Sequence, residues 1–329
     1  MVDIFSTVLT VIGVSTSLGM ACMQICEGLN YLFGIEINVK VWIILIVIVA
    51  CIYIMSSVSG LNKGMTYLSN INIFLAICLL IIAFCIGPMQ TTLKTIVNGV
   101  GLYISNFVSD SLKLDPYGEN IWIYTWRVFY WAWWISWSPF VGVFIARISK
   151  GRTIREFLTV VLLAPTVLSF IWFSAFGTLS TSLQDSGVNL IRFATEEILF
   201  ASFNEYPLGS VLSLLAIILV LTFFVTSADS ATYVLAMLSE DGNLNPSNRK
   251  KVIWGVMLAL IAIALMFSGG LTALQNTLII VAFPFSIVLV LMMWSLMKEL
   301  YHEKEQMGLA ITPDRYPEKN QPFKSYEEN

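Results

Sequence analysis

The sequence predicts an all-α polytopic membrane protein, and three observations lead there. Of 329 residues, 57% are hydrophobic and only 12% charged, about half the ~25% charged share of a soluble domain. Apolar runs long enough to span a bilayer as helices occur eight times, at 4–33, 41–59, 70–88, 122–146, 154–178, 209–238, 252–268 and 273–297. None alternates apolar and polar residues over ~10 positions, as a strand of a membrane barrel does. This profile excludes a disordered chain, a nucleic-acid binder with a basic face and an ordinary soluble enzyme.

Each element has its own signature. The run 4–33 is long and flecked with polar residues, which suits a tilted or partly extramembrane helix. The run 41–59 carries no charge at all. Between the third and fourth runs, segment 91–114 spaces Ile96, Val100, Ile104, Phe107 and Val108 at helical intervals, which predicts an interfacial amphipathic helix. A second short helix is expected at 187–203. From 299 onward seven acids face four bases in what reads as a solvated tail.

Thirteen of the 18 Lys and Arg lie in one set of connections and the tail, five on the opposite side. By the positive-inside rule both termini are cytoplasmic, and an even number of spans agrees with that. The five cysteines lie in apolar stretches with no metal-ligand spacing and read as small core residues.

Three segments could carry chemistry. Six of the ten Trp fall between 122 and 137. Trp131, Trp134 and Trp137 follow one another at intervals of three on a helix, and Trp133 joins Trp137 at four. A clustered aromatic face binds a quaternary ammonium through the ring quadrupole. The competing reading is lipid-facing packing plus an interfacial belt. Pro139 leaves the carbonyl of Ile135 without its helical donor.

The second segment is Thr226-Ser227-Ala228-Asp229-Ser230. Its hydroxyls are hard oxygen ligands of the kind a small cation prefers. They can equally back-bond to the helix, and Asp229 suits a structural hydrogen bond as well as a functional role. The third, Ala146 to Glu156, is a basic loop whose Thr153 and Glu156 have capping-box spacing. The single histidine, His302, rules out histidine-based metal sites and catalytic triads, so the chain is not expected to be an enzyme.

The run WAWWISWSPFVGVFIARISKGRTIREF (131–157) resembles the signature of the betaine/choline/carnitine transporter family, and FVTSADSA (224–231) and GVSTSLGM (13–20) resemble two further segments of it. Members of that family have twelve helices, ten of them in two inverted five-helix repeats. The resemblance implies that this chain corresponds to helices five to twelve. Residues 1–90 would then be the end of the first repeat, 91–121 an extracellular connection with its amphipathic helix, 122–298 the second repeat, and 299–329 a cytoplasmic tail.

The resemblance further implies a secondary active carrier of the bacterial plasma membrane, importing glycine betaine or a related trimethylammonium osmolyte with sodium, and assembled as a homotrimer. Trp134 matches the residue closing the aromatic cage around the substrate cation. Trp133, Trp137, Phe129 and Trp131 fall among the substrate-pathway aromatics. Thr226 and Ser227 match ligands of the principal sodium site, Thr10 and Phe140 parts of a second, where Val14 replaces a family Thr. Sodium-independent carnitine exchangers of the same family replace the Thr226-Ser227 pair. No other cofactor and no nucleic acid is expected. Segments carrying further cage residues have no counterpart here, so the chain is expected not to transport by itself. The alternatives are a truncated, non-transporting partner of an intact carrier, or a choline or carnitine carrier.

Overall fold

The computed structural model describes residues 2–59, 62–118 and 120–306, with the side chains of 62–65 and 147–148 outside the description. The described residues are helical throughout their ordered elements. The helices are α1 (Val2–Phe33), α2 (Val39–Ser59), α3 (Asn62–Ile86), α4 (Met89–Leu112), α5 (Phe129–Ile148), α6 (Ile154–Asp185), α7 (Ile198–Asn204), α8 (Gly209–Leu238) and α9 (Asn248–Gln306). A π-helical turn, Ile123–Val128, leads directly into α5.

Among the described residues, seven helices are long and apolar enough to cross a membrane. The difference from the eight runs of the sequence lies wholly in α9. At ~1.5 Å per residue its 59 residues would measure far more than the ~30 Å of a hydrocarbon core. The helix is interrupted at Gly269 and Gly270, where Gly270 has φ of +58°, a conformation that glycine alone adopts without strain. The runs 252–268 and 273–297 fall on either side of this break, so α9 is two helical spans joined at a glycine kink.

The described residues up to Phe283 form one packed unit, and those from Pro284 to Gln306 belong to another. In the first unit, α8 packs against α1, α2, α3 and α5, and α1 also packs against α2 and α5. Small and hydroxylated residues make the close approaches possible. Gly13 of α1 is an example: a Cβ there would lie 2.4 Å from Ser136 Oγ of α5. Gly255 of α9 is equally tight, with an added Cβ 2.4 Å from Ile54 Cγ1. Polar groups tie the same crossings, since Tyr53 Oη donates to Gly255 O (2.7 Å) and Ser15 Oγ to Leu258 O (3.0 Å).

One apolar cluster joins α1, α2, α5, α8 and the first half of α9 around Val14, Tyr53, Leu235 and Leu258. A second joins α1, α3, α6, α7 and α8 around Phe200, Phe203 and Leu212. The outward faces of α2 and α6 are apolar and exposed (Ile44, Val47, Ile48; Val160, Leu163, Val167), as lipid contact requires. The second unit continues α9 through exposed Ile287, Leu291 and Trp294 to a charged end where His302 Nδ1 lies 4.0 Å from Glu305 Oε2.

The amphipathic helix expected at 91–114 is α4. It carries exposed Val97, Ile104, Phe107 and Val108 and packs on α6, with Tyr103 edge-on to Phe170 at 5.3 Å. The helix expected at 187–203 is corrected to α7 alone. Residues before it form turns, because the side chains of Gln184 and Glu197 take up the backbone N–H groups of Leu190 (2.9 Å) and Ala194 (3.4 Å). Thr153 caps α6 as its spacing predicts, accepting from Glu156 N at 3.2 Å.

The α1–α5 approach is testable. Gly13→Val is expected to force the two helices apart and lower the thermal unfolding midpoint of the purified protein. Gly142→Ala, where an added Cβ meets nothing within 4 Å, should leave it unchanged.

Candidate functional site

A cavity of about 930 Å³ opens between α1, α3, α5, α6 and α8. One of its walls is aromatic. Trp126 of the π-turn is followed at intervals of four, three and four by Tyr130, Trp133 and Trp137, and these last three share one stripe of α5. All four line the cavity, and the first three rings form a chain: Trp126–Tyr130 at 6.2 Å and Tyr130–Trp133 at 5.7 Å. Phe129 lies behind this wall. It is fully buried and stacks on Trp133 with centroids 5.3 Å apart.

One hydroxyl positions the two inner rings. Ser17 Oγ of α1 accepts from the indole N–H of Trp133 (2.8 Å) and of Trp137 (3.2 Å). Its own proton goes to Gly13 O (2.9 Å). A serine hydroxyl has one donor and two acceptor positions, so all of its capacity is used. Both indoles are thereby fixed in rotation, Trp133 with one face on Phe129 and both rings bordering the cavity.

The same cavity is lined by hydroxyls of α8 and an amide of α3. Thr226 Oγ1 donates to Phe223 O (2.8 Å) and accepts from Asn72 Nδ2 (3.4 Å). Ser227, half-buried, lines the cavity beside it. Trp172 and Leu168 of α6 contribute further apolar wall. Among the described residues lining the cavity there is no Lys or Arg, and Glu196 supplies the one carboxylate. A cation therefore meets aromatic faces and oxygen atoms with no competing positive charge.

The sequence-predicted residues are thus divided. Trp133, Trp137, Thr226 and Ser227 meet in one cavity, and Phe129 supports it. Trp131 and Trp134 lie on the neighbouring stripe, 58% and 72% exposed, and do not line it. Grouping Trp131, Trp134 and Trp137 as one face is therefore corrected: the stripe that meets the cavity runs through Trp133, and only Trp137 belongs to it. Thr10 and Phe140 are buried (0% and 4% exposed) away from the cavity wall, Phe140 in the apolar core.

Asp229 does not reach the cavity either. It accepts from Ser56 Oγ at 2.6 Å and ties α8 to α2, while Lys251 Nζ donates to Ser57 O at 3.1 Å from α9. Sequence reasoning missed Trp126, Tyr130, Trp172 and Asn72. The four-three-four spacing carried the signal for the first two, and an amide inside an apolar run carried it for Asn72.

The match to known proteins decides the family. A model of the betaine/carnitine/choline family transporters matches residues 1–305. The chain belongs to this family. It is 48% identical over 317 residues to the glycine betaine transporter OpuD of Bacillus subtilis, covering 95% of this chain and 62% of that protein. It is 40% identical over 305 residues to the ectoine/hydroxyectoine transporter of Virgibacillus pantothenticus, covering 91% of this chain and 60% of that one. A glycine betaine transporter of Acinetobacter baylyi is 42% identical over 311 residues, with 93% of this chain and 47% of the relative covered. The chain therefore spans about half to three-fifths of the length of these relatives. Membership in a family of multi-pass membrane transporters agrees with the expectation that the chain is not an enzyme.

Replacing Ser17 by Ala should leave both indole N–H groups without their acceptor. A loss of about 1–2 kcal/mol is expected, read as a lower unfolding midpoint together with a shifted tryptophan emission maximum. Ser17→Thr, which keeps the oxygen, should retain most of the midpoint.

Proposed function

We propose that this protein serves sodium-coupled import of glycine betaine or a closely related compact osmolyte, and that the cavity is where substrate and ion meet. The observation that carries this reading is that the aromatic stripe of α5 and the Thr226–Ser227 pair line one cavity. A trimethylammonium group has no N–H to donate, so hydrogen-bond acceptors gain little from it. Indole faces attract it through their quadrupoles, and Ser17 fixes Trp133 and Trp137 at the cavity wall. Trp134 and Trp131 border no part of this cavity, so the cage role rests on Trp133 and Trp137. Sodium, written here as co-substrate, would take the hydroxyl oxygens of Thr226 and Ser227.

Coupling then follows from shared space. Sodium on the α8 side lowers the cost of placing the substrate's carboxylate in a cavity that offers it no basic side chain, and the carboxylate returns the favour. Alternating access would rock one helix bundle against the other around this cavity. In the same reading both termini are cytoplasmic, the membrane is the bacterial plasma membrane, and α4 offers its apolar face to a neighbouring protomer in a homotrimer. The second sodium site built on Thr10 and Phe140 finds less support, because neither residue borders the cavity. Glycine betaine and ectoine carriers among the relatives favour an osmolyte over choline or carnitine.

Equilibrium binding of radiolabelled glycine betaine to the purified protein in lipid nanodiscs tests this. Binding should require sodium. Trp133→Ala and Trp137→Ala should each weaken it about tenfold, the size of a desolvated cation–π contact of ~1–2 kcal/mol, with Phe replacements milder. Thr226→Ala should raise the sodium concentration needed. Sodium-independent binding, or full affinity in both alanine variants, contradicts the proposal.

A further inference from the structure

We infer that Asn72 is a further ligand of the coupling cation, acting through its carboxamide oxygen beside Thr226. The inference rests on the sodium reading of the Thr226–Ser227 pair and adds a residue of a different helix, α3, to it.

Asn72 is 4% exposed and stands at the cavity wall within an apolar helix. The orientation of its amide follows from its neighbour. The hydroxyl proton of Thr226 is committed to Phe223 O at 2.8 Å, so Thr226 Oγ1 can only accept from the amide. Nδ2, the donor, therefore faces it at 3.4 Å, and Oδ1 is turned elsewhere. That oxygen is shielded from water and meets no hydrogen-bond donor.

Other buried polar atoms share this lack of a partner, including the hydroxyls of Thr10, Thr16 and Thr178. A helical hydroxyl can turn its proton to a backbone carbonyl four residues back. A carboxamide oxygen has no proton to turn. It needs a donor or a cation, and an unsatisfied buried acceptor calls for such an explanation. Hard cations bind amide and hydroxyl oxygens alike, at about 2.3–2.6 Å in the larger-ion case. Oδ1 and Nδ2 share one carbon, so a half-turn of the carboxamide brings Oδ1 to face Thr226 Oγ1 when a cation binds there.

The assignment also gives the ion a mechanical role. Thr226 and Ser227 belong to α8, and Asn72 belongs to α3, so an ion held by all three clamps these helices together on one side of the cavity. A neutral oxygen suits the position, because it adds coordination without adding a charge that must be paired when the ion leaves.

The test is equilibrium sodium-22 binding to the full chain in lipid nanodiscs, without and with glycine betaine. Asn72→Ala should raise the half-saturating sodium concentration about tenfold, the loss of one good ligand. Asn72→Asp, which keeps an oxygen, should recover most of that shift. Asn72→Leu, close in volume, gives the same reading where the alanine variant does not fold. An unchanged half-saturation in Asn72→Ala or Asn72→Leu, with wild type binding sodium and Thr226→Ala failing to, overturns the role of Asn72 alone. So does a fall in stability or binding capacity that Asn72→Asp shares, with no shift in half-saturation. Absence of saturable sodium binding in wild type overturns the sodium reading and this inference together.

Discussion

The site depends on one saturated hydroxyl. Ser17 accepts two indole N–H groups and donates to its own helix, so α1 cannot rotate or slide against α5 without stranding Trp133 and Trp137. Gly13, one turn away on α1, permits this contact by leaving room for Ser136. The two residues act together: the glycine brings the helices close, and the serine sets their register. In a membrane interior the driving force for helix association is packing and hydrogen bonding rather than water exclusion. A fully used hydroxyl at the crossing is therefore a strong constraint for its size.

From that crossing the rest of the cavity follows. Fixing α5 fixes its aromatic stripe, and α8, packed against α1, presents Thr226 and Ser227 to the same space. Tyr53, Ser15, Ser56 and Asp229 hold α2, α8 and α9 as a second layer of polar ties. Asp229 is the clearest case of a residue whose chemistry invites a functional role and whose geometry gives it a structural one. The carboxylate is spent on joining two helices outside the cavity.

Much of this was legible in the sequence, for definite reasons. Length and hydropathy locate the spans because a bilayer admits few other ways to satisfy a backbone. The Trp run and the Thr226-Ser227 pair stand out because polar and aromatic clusters are costly or unusual in an apolar helix. What the sequence did not settle was the phase of the aromatic helix. Intervals of three through Trp131, Trp134 and Trp137 and the interval of four from Trp133 both fit an α-helix, and only the contact with Ser17 selects the second. The break at Gly269 and Gly270 was visible as a gap between two runs, where two glycines let the backbone leave the helix. Asn72 escaped because a single amide in a hydrophobic segment has meaning only through its neighbour, 154 residues away.

The central claim is that substrate occupies the cavity between the Trp133–Trp137 wall and α3. Substrate protection of a single cysteine at Ile73 tests it most directly. Ile73 lines the cavity and is 59% exposed, whereas Ile104 of α4 is 72% exposed and does not line it. With the five native cysteines replaced, glycine betaine plus sodium should slow maleimide labelling of Ile73→Cys and leave Ile104→Cys unaffected. Equal labelling of Ile73→Cys with and without substrate, at concentrations that saturate binding, would contradict the account.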